Sequence, residues 1–519
     1  MKIALSQKRV FMNNPKKNFE YLKRDIEKAI GKADLVVFGE LSLSGALYGE
    51  RQVNETIIDT LLKYQKEVIA LSKEIPIVWG NIFQAQDTYI NTLFYAEKGK
   101  LVAYAFEDEP LEVKLKNKTL VFSHTTQDTQ HLNVLLGMRP YQHDVQTDIF
   151  TNTICLGQDG LYNNGHEVYV LDTVGYVSIK DQTQYLNESF QIIDLNHIQS
   201  SPYQKPTVLD MLLKGIQYFD EENLSYKPQW IVGVSGGLDS AVSVALLTLA
   251  LGKERVHGVT MPGPHTRDIS LNNAHHLFKK LDITHETVDI NAMVEATLSS
   301  LNYDTIEGLA YENIQARLRG HTLMSIASLI NGVVSNNGNR IEAALGYATL
   351  YGDAIGALSL LADLTKLEVG QIAQDINNKM QDEIIPHNLI PNIDAYQVNW
   401  GFAPSAELSK DQFDPMKWGY HDHLVNFLLE YGPEQVLSMY LDQSIYETEM
   451  GRFLKAYNLC DEAFIEDLEW VVRQLNTAIY KRIQTPPILK VSTLGFSPEA
   501  QLPLFTTDQY NRLKEKILN

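Results

Sequence analysis

The sequence predicts an α/β protein whose second half is a doubly wound parallel sheet, and three observations carry that prediction. From Pro206 onward helix and strand patterns alternate, the first strand after it ends in a glycine-rich turn, and the preceding half is rich in short β runs with occasional helices. Such alternation is the sequence image of parallel strands joined by crossover helices, with ligands gathered at the carboxyl ends of the strands.

In the first half, KIALSQ, ADLVVFGE, IPIVWG, LFYAEKGKLVAYAF, LNVLLG, NTICLG and HEVYVLD read as strands, and NFEYLKRDIEKAI spaces its apolar residues as a helix does. The polar, proline-bearing stretch NHIQSSPYQKP is aperiodic, so residues 1–195 form one domain and 196–206 a linker. Beyond it come helix TVLDMLLKGIQYF, strand WIVGV, helix SAVSVALLTLAL, strand VHGVTM, helix NNAHHLFKKL and strand THETVDI. This pattern occupies 207–425, and residues 426–519 read as a mostly helical extension.

Composition narrows the partners. With 44 basic against 64 acidic side chains the formal charge is −20, which repels phosphate backbones and anionic lipid, so neither nucleic acid nor a membrane is expected. Two cysteines, Cys155 and Cys460, are too few for a disulfide framework or a thiolate zinc site and suit a reducing compartment. The start, MKIALSQKRV, lacks the apolar stretch of a signal peptide, and no run of about 18 apolar residues occurs, so a cytoplasmic protein is expected.

The turn itself reads GVSGGLDS from Gly233 to Ser240. Two glycines between a strand and a helix let backbone amides approach an anion, and the helix dipole adds positive potential there. A Walker loop needs GxxxxGK[ST]; this turn is shorter and has no lysine, which weighs against a mononucleotide kinase or GTPase. Asp239 instead offers a carboxylate suited to Mg²⁺ on phosphate.

SGGLDS in this position resembles the pyrophosphatase loop of the N-type ATP pyrophosphatases, with their adenine nucleotide alpha hydrolase-like fold, which cleave ATP between the α and β phosphates. The string YENIQARLRGHTLMSIASLINGVVSNNGNRIEAALGYATLYGDAIGALSLLADLTK then resembles the NAD⁺ synthetase family pattern of ENIQARxRG, LM, TGNKSE and GYxTLYGD. MPGPHTRDISLNNA, PSAELSKDQFD and YKRIQTPPILKVS extend the likeness, the last being typical of the long, glutamine-dependent subfamily.

The resemblance implies an amide-forming ligase that adenylates the nicotinate carboxylate of deamido-NAD with ATP and lets ammonia displace AMP. It implies that Gly233, Ser235, Gly236, Gly237, Asp239, Ser240, Asn337, Lys366 and Ser405 meet ATP, with Asp239 and Glu342 holding Mg²⁺. Asn313, Arg317, Arg319, Arg340, Glu342 and Lys481 would meet deamido-NAD, and Asp353 would receive the ammonium proton. Asn313 and Arg317 stand four apart, on one helix face. The catalytic set is Asp239, Ser240 and Asp353. The chain departs from the pattern at Gly263, Arg267, Asn337, Arg340 and Ile341.

In the first half MKIALSQ, ADLVVFGELSLSGA and LGQDGLYNNGHEVYVLDTVG resemble the nitrilase-like glutaminase domain of the same enzymes, an αββα sandwich that hydrolyses glutamine with a glutamate, a lysine and a cysteine. Glu40 matches the glutamate; Phe106 stands at the lysine's place and Gly137 at the nucleophile's. Cys155 falls in a later strand, where the likeness puts a packing residue. The stretch from Gly137 to Gly157 is short for the family, as if a helix and strand were deleted. Amide hydrolysis needs a thiol with a base in reach, so the domain reads as a degenerate scaffold, and ammonia as coming from solution or from a separate glutaminase. The family further implies a homodimer or larger homo-oligomer. Two other readings are a rearranged glutaminase site that still uses glutamine, and a non-catalytic nucleotide sensor.

Overall fold

The computed structural model describes all residues except 13, 46–54, 86–87, 107–108, 126–129, 138–139, 143–148, 172–174, 203–204, 302 and 494–502. The chain divides into two compact units, residues 1–164 with 168–207, and residues 165–167 with 208–519.

The first unit runs β1 (Lys2–Ser6), β2 (Arg9–Val10), α1 (Pro15–Ala29), β3 (Leu35–Phe38), α2 (Glu55–Leu71), β4 (Ile77–Ala85), β5 (Thr88–Glu97), β6 (Lys100–Phe106), β7 (Leu111–Leu115), β8 (Lys118–Ser123) and β9 (Leu132–Leu135). It continues through β10 (Thr153–Cys155), β11 (Asp159–Asn163), β12 (Glu167–Val170), β13 (Gly175–Ile179), β14 (Gln182–Leu186) and β15 (Phe190–Asp194). Two six-stranded sheets result, ordered β15-β1-β3-β4-β5-β6 and β14-β13-β10-β9-β8-β7. Alternation sorts their side chains. Ile3, Leu5, Val37 and Val78 meet Phe122, Val134 and Ile154 in a core between the sheets, while Ala4, Val36 and Trp79 face the other way and pack under Phe19, Leu22 and Ile26 of α1 and Leu61 and Val68 of α2.

The shortened sandwich carries α1 and α2 on the outer face of the first sheet. Among the described residues no helix covers the second sheet; Leu135, Cys155 and Tyr176 close that face with Tyr185, and the Tyr176 hydroxyl accepts from the Phe150 N–H at 3.1 Å. Cys155 is accordingly a packing thiol, 1% exposed.

The second unit opens with α3 (Val208–Asn223), β16 (Trp230–Gly233), α4 (Leu238–Leu251), β17 (Val256–Thr260), α5 (Asp268–Leu281), β18 (Thr284–Thr287), α6 (Asn291–Ser300), α7 (Gly308–Ile330) and β19 (Val333–Val334). The sheet order is β18-β17-β16-β19, every pair parallel. Ile231, Val259 and Val334 pack against Val294 of α6 and Leu323, Ile326 and Ala327 of α7, and α4 lies against β16 and β17. Then follow α8 (Arg340–Leu345), α9 (Lys366–Met380), the β20–β21 hairpin (Asn392–Asp394, Gln397–Asn399), α10 (Tyr420–Leu441), α11 (Glu449–Ala456), α12 (Asp461–Thr477), α13 (Ile479–Arg482), β22 (Ile488–Lys490) and α14 (Asp508–Leu518). The extension shares its core with α8: Ile341 and Leu345 pack with Trp418, Leu424, Phe464 and Leu468. No helix among the described residues is long and apolar enough to cross a membrane.

Candidate active site

The turn between β16 and α4 is built so that only glycine fits at its centre. Gly236 has φ +83°, and a Cβ there would stand 2.0 Å from the Ser270 carbonyl oxygen. Ser235 and Ser240 brace the turn from within: their hydroxyls are 3.1 Å apart, Ser240 Oγ accepts from the Ser235 N–H at 3.2 Å, and it lies 3.1 Å from the Gly237 carbonyl. Gly237 caps α4 without a side-chain hydrogen bond, which leaves first-turn amides for an anion.

Asp239 sits in that first turn, between polar neighbours from two later elements. Lys366, the first residue of α9, donates to Asp239 Oδ2 at 2.6 Å, and Asn339 Nδ2 donates to the same oxygen at 3.1 Å. Glu342 Oε1 is 3.8 Å from Lys366 Nζ. Burial opposes the charge on Lys366, but Asp239 and Glu342 outweigh it and hold its pKa above the ordinary value. Burial, and then the like charge of Asp239, push Glu342 well up. Asp414, brought in by the segment before α10, is raised by burial against the pull of Lys366.

Asp239 Oδ1 is buried without a hydrogen-bond partner, a hard oxygen of the kind Mg²⁺ takes. No trio of His, Cys, Asp or Glu among the described residues forms a metal-binding group.

A second cluster forms around the turn at 349–353. Asp353 Oδ1 accepts from the Thr349 N–H at 2.6 Å, Thr349 Oγ1 donates to Asn313 Oδ1 at 2.7 Å, and Arg317 Nε reaches the Leu350 carbonyl at 3.3 Å. Lys481 donates to the Gly346 and Ala348 carbonyls, each at 2.7 Å. The crowding of protein atoms raises Asp353 although the residue keeps an open face to solvent. Crowding lowers Lys481, and Asp353 partly offsets this. Arg319 donates to the Met261 carbonyl at 3.1 Å, and burial brings it down to about 10.

Three expected ligand contacts are not assembled this way. Arg340 is 4% exposed, and its guanidinium is 3.4 Å from Asp363 and bonded to Ser492, so it is a buried structural cation and offers no surface to a dinucleotide. The buried anion Asp363 explains why: Lys490 and the Val491 and Ser492 amides converge on it, each at 2.7 Å. Asn337 spends its amide on Gly233 O at 3.1 Å and its carbonyl on Ser335 at 2.9 Å. Ser405 donates to Gln412 O at 2.6 Å. Sequence reasoning passed over Asn339 and Asp414. Asn339 was findable, because Asn339 with Glu342 three residues on is a capping box, and both of its bonds are present. Asp414 carries no such pattern.

In the first unit, Glu40 follows β3, and its N–H donates to Leu136 O at 2.9 Å, which sets it beside Gly137. Its carboxylate accepts from Asn91, lies 3.9 Å from His124 Nε2, and is 12% exposed. A Cβ at Gly137 would stand 2.9 Å from the His124 carbonyl oxygen. Phe106 packs edge-on against Phe83, with ring centroids 5.6 Å apart, within an aromatic group that includes Tyr104.

Comparison with known proteins adds likenesses of sequence and fold. Residues 217–450 match the NAD synthase family model. The matched stretch includes the β16–α4 turn and α9. Its relatives include the glutamine-dependent NAD(+) synthetases of Thermotoga maritima, 29% identical over 61% of this chain and 50% of that protein, and of Acinetobacter baylyi, 25% identical over 97% and 98%. This chain therefore spans half the length of the first of these and nearly all of the second. Among solved structures, a glutamine-dependent NAD(+) synthetase from Cytophaga hutchinsonii superposes with a TM-score of 0.76 at 12% identity, covering 100% of both chains. One from Acinetobacter baumannii, solved with ADP, gives 0.64 at 20% identity, covering 96% of this chain and 97% of that one. At these identities the likeness is one of fold, a mixed α/β chain with a parallel sheet.

Proposed function

We propose that the chain is an NAD⁺ synthetase that amidates deamido-NAD with ATP and takes ammonia from solution or from another protein. The arrangement of Asp239, Lys366 and Glu342 at the pyrophosphate loop carries the first part of this reading. A nicotinate carboxylate oxygen attacks the α-phosphorus, the bond to the β-phosphate bridging oxygen breaks, and pyrophosphate leaves toward the loop amides and Lys366. Ammonia then adds to the acyl carbon, Asp353 takes the surplus proton, and AMP departs. Mg²⁺ held by Asp239 and Glu342 would spread the charge that grows on the phosphates. Asn313 and Arg317 bond the turn bearing Asp353, and Lys481 bonds the carbonyls just before it, which suits them to hold the dinucleotide beside it.

The ammonia half of the reading rests on Gly137 beside Glu40. With a glycine at the nucleophile's place and Phe106 at the lysine's, nothing there attacks an amide carbonyl by the family's route. The deciding experiment supplies ATP and deamido-NAD with either glutamine or ammonium and measures AMP, pyrophosphate and NAD⁺. Turnover with ammonium alone is expected; turnover with glutamine, abolished by Glu40→Gln, would point to a rearranged glutaminase. A non-catalytic sensor is the second reading, favoured by the internal use of Asn337 and Ser405 and the burial of Arg340. It predicts nucleotide binding with no release of AMP.

A further inference from the structure

Of the departures from the resembled pattern, Arg267 pairs with a buried carboxylate, and Gly263 stands beside a second cation, Arg319. Glu407, whose side chain is 10% exposed, accepts from Arg267 Nε at 2.6 Å, from the Arg267 N–H at 3.2 Å and from Ser270 Oγ at 2.6 Å. Arg267 lies over the Phe402 ring at 4.3 Å, so it is held from both sides. Gly263 makes room for the neighbouring cation, since a Cβ there would stand 2.7 Å from Arg319 Nη2.

What Glu407 ties together matters more than the bonds themselves. Ser270 belongs to α5, whose backbone abuts Gly236 and whose Asn273 donates to Gly236 O at 3.2 Å. Glu407 belongs to the segment leading to Asp414. That segment is braced by Ser405 to Gln412 O at 2.6 Å and Leu408 N to Gln412 Oε1 at 2.8 Å, and anchored to α7 by Gln315 to Leu408 O at 2.7 Å. One carboxylate thus links the wall of the pyrophosphate loop to the strap carrying Asp414.

We propose that the Arg267–Glu407 pair is a latch that positions this strap against the pyrophosphate loop and thereby sets the affinity for ATP. The inference rests on the reading of that loop as an ATP site. Both are positioning residues and neither is assigned contact with the nucleotide.

The test is calorimetric titration of the full chain with a non-hydrolysable ATP analogue, which needs no turnover. Arg267→Ser and Glu407→Gln should each raise Kd about tenfold, the double variant should be no worse than either single one, and Arg267→Lys should recover part of the loss. Unchanged Kd in Arg267→Ser, even with a lowered melting temperature, would overturn the latch, and so would strictly additive losses. If Arg267→Ser fails to fold, Glu407→Gln and Arg267→Lys decide by the same criterion. A wild type that binds the analogue but releases no AMP sinks the proposed reaction and leaves the latch standing; one that does not bind sinks both.

Discussion

Each unit places a carboxylate at the end of a parallel strand, and the two are treated in opposite ways. Asp239 meets a lysine, an amide and a second carboxylate from two distant stretches of chain, and one of its oxygens is buried without a hydrogen bond. Glu40 meets an asparagine and a histidine, beside Gly137, where the proposed reading puts the absent nucleophile. A carboxylate does chemistry only when its surroundings supply a charge to work against and a partner to react with. On the reading proposed above, the second unit assembles both at Asp239, and the first surrounds its carboxylate with groups that supply no nucleophile.

The largest effect should come from Asp239→Asn. Removing the loop's charge and its metal ligand together should lower AMP release by about 10²–10³-fold, the scale of losing one preorganised stabilising group. Lys366, 3% exposed, would keep Glu342 at 3.8 Å as its nearest carboxylate. Breaking a buried pair costs about 3–5 kcal/mol, so a clear drop in melting temperature should accompany the kinetic loss. Steady-state assays and thermal melts on one preparation check both. Near-normal AMP release would remove Asp239 from the reaction and erase the contrast with Glu40.

This contrast was partly legible before any coordinates. SGGLDS announces its geometry because φ above zero at Gly236 and an uncapped helix start leave few residue choices. The alternating helices and strands of 207–300 announce theirs through two different periods. The hairpin β7–β8 was passed over, although Lys116 and Asn117 both have positive φ and LEVKL and KTLVFS alternate; neither turn residue is glycine, which hid the signal. LFYAEKGKLVAYAF read as one run, yet Lys98 and Gly99 fold it into β5 and β6. Arg340 was not legible in this way. A motif fixes which residues recur, but whether a side chain faces the cleft or the interior depends on distant partners, here Asp363 and Ser492.

An intermediate effect should sharpen the reading of the second cluster. Asp353 must be ionised to accept a proton, and crowding raises its pKa from the ordinary value of 3.8. The acid limb of the kcat/KM profile for ammonium should therefore lie above that of an ordinary aspartate, activity falling as pH falls through it. Lys481 stabilises the ionised form, so Lys481→Ala should move the limb to higher pH. Asp353→Asn should remove the limb and cost about 10²-fold at neutral pH, within the range for a general base. A limb that stays put in Lys481→Ala would show that another group takes the proton.

The smallest effects should be found in the first unit, and their smallness is the point. Glu40→Gln should leave ammonium-driven turnover within about twofold of wild type, because no step of the reaction passes through that carboxylate. Restoring the family's residues with Phe106→Lys and Gly137→Cys should also fail to produce glutamate from glutamine. A Cβ at 137 meets the His124 carbonyl oxygen at 2.9 Å, and that contact is with backbone, which cannot swing aside as a side chain does. The Phe106 ring lies among Phe83 and Tyr104, so a lysine there starts from an aromatic packing site with Glu40 held by Asn91. Glutamate release from the double variant above the wild-type background would show that only two side chains separate the scaffold from an enzyme, and that the backbone around Gly137 had never closed over the site.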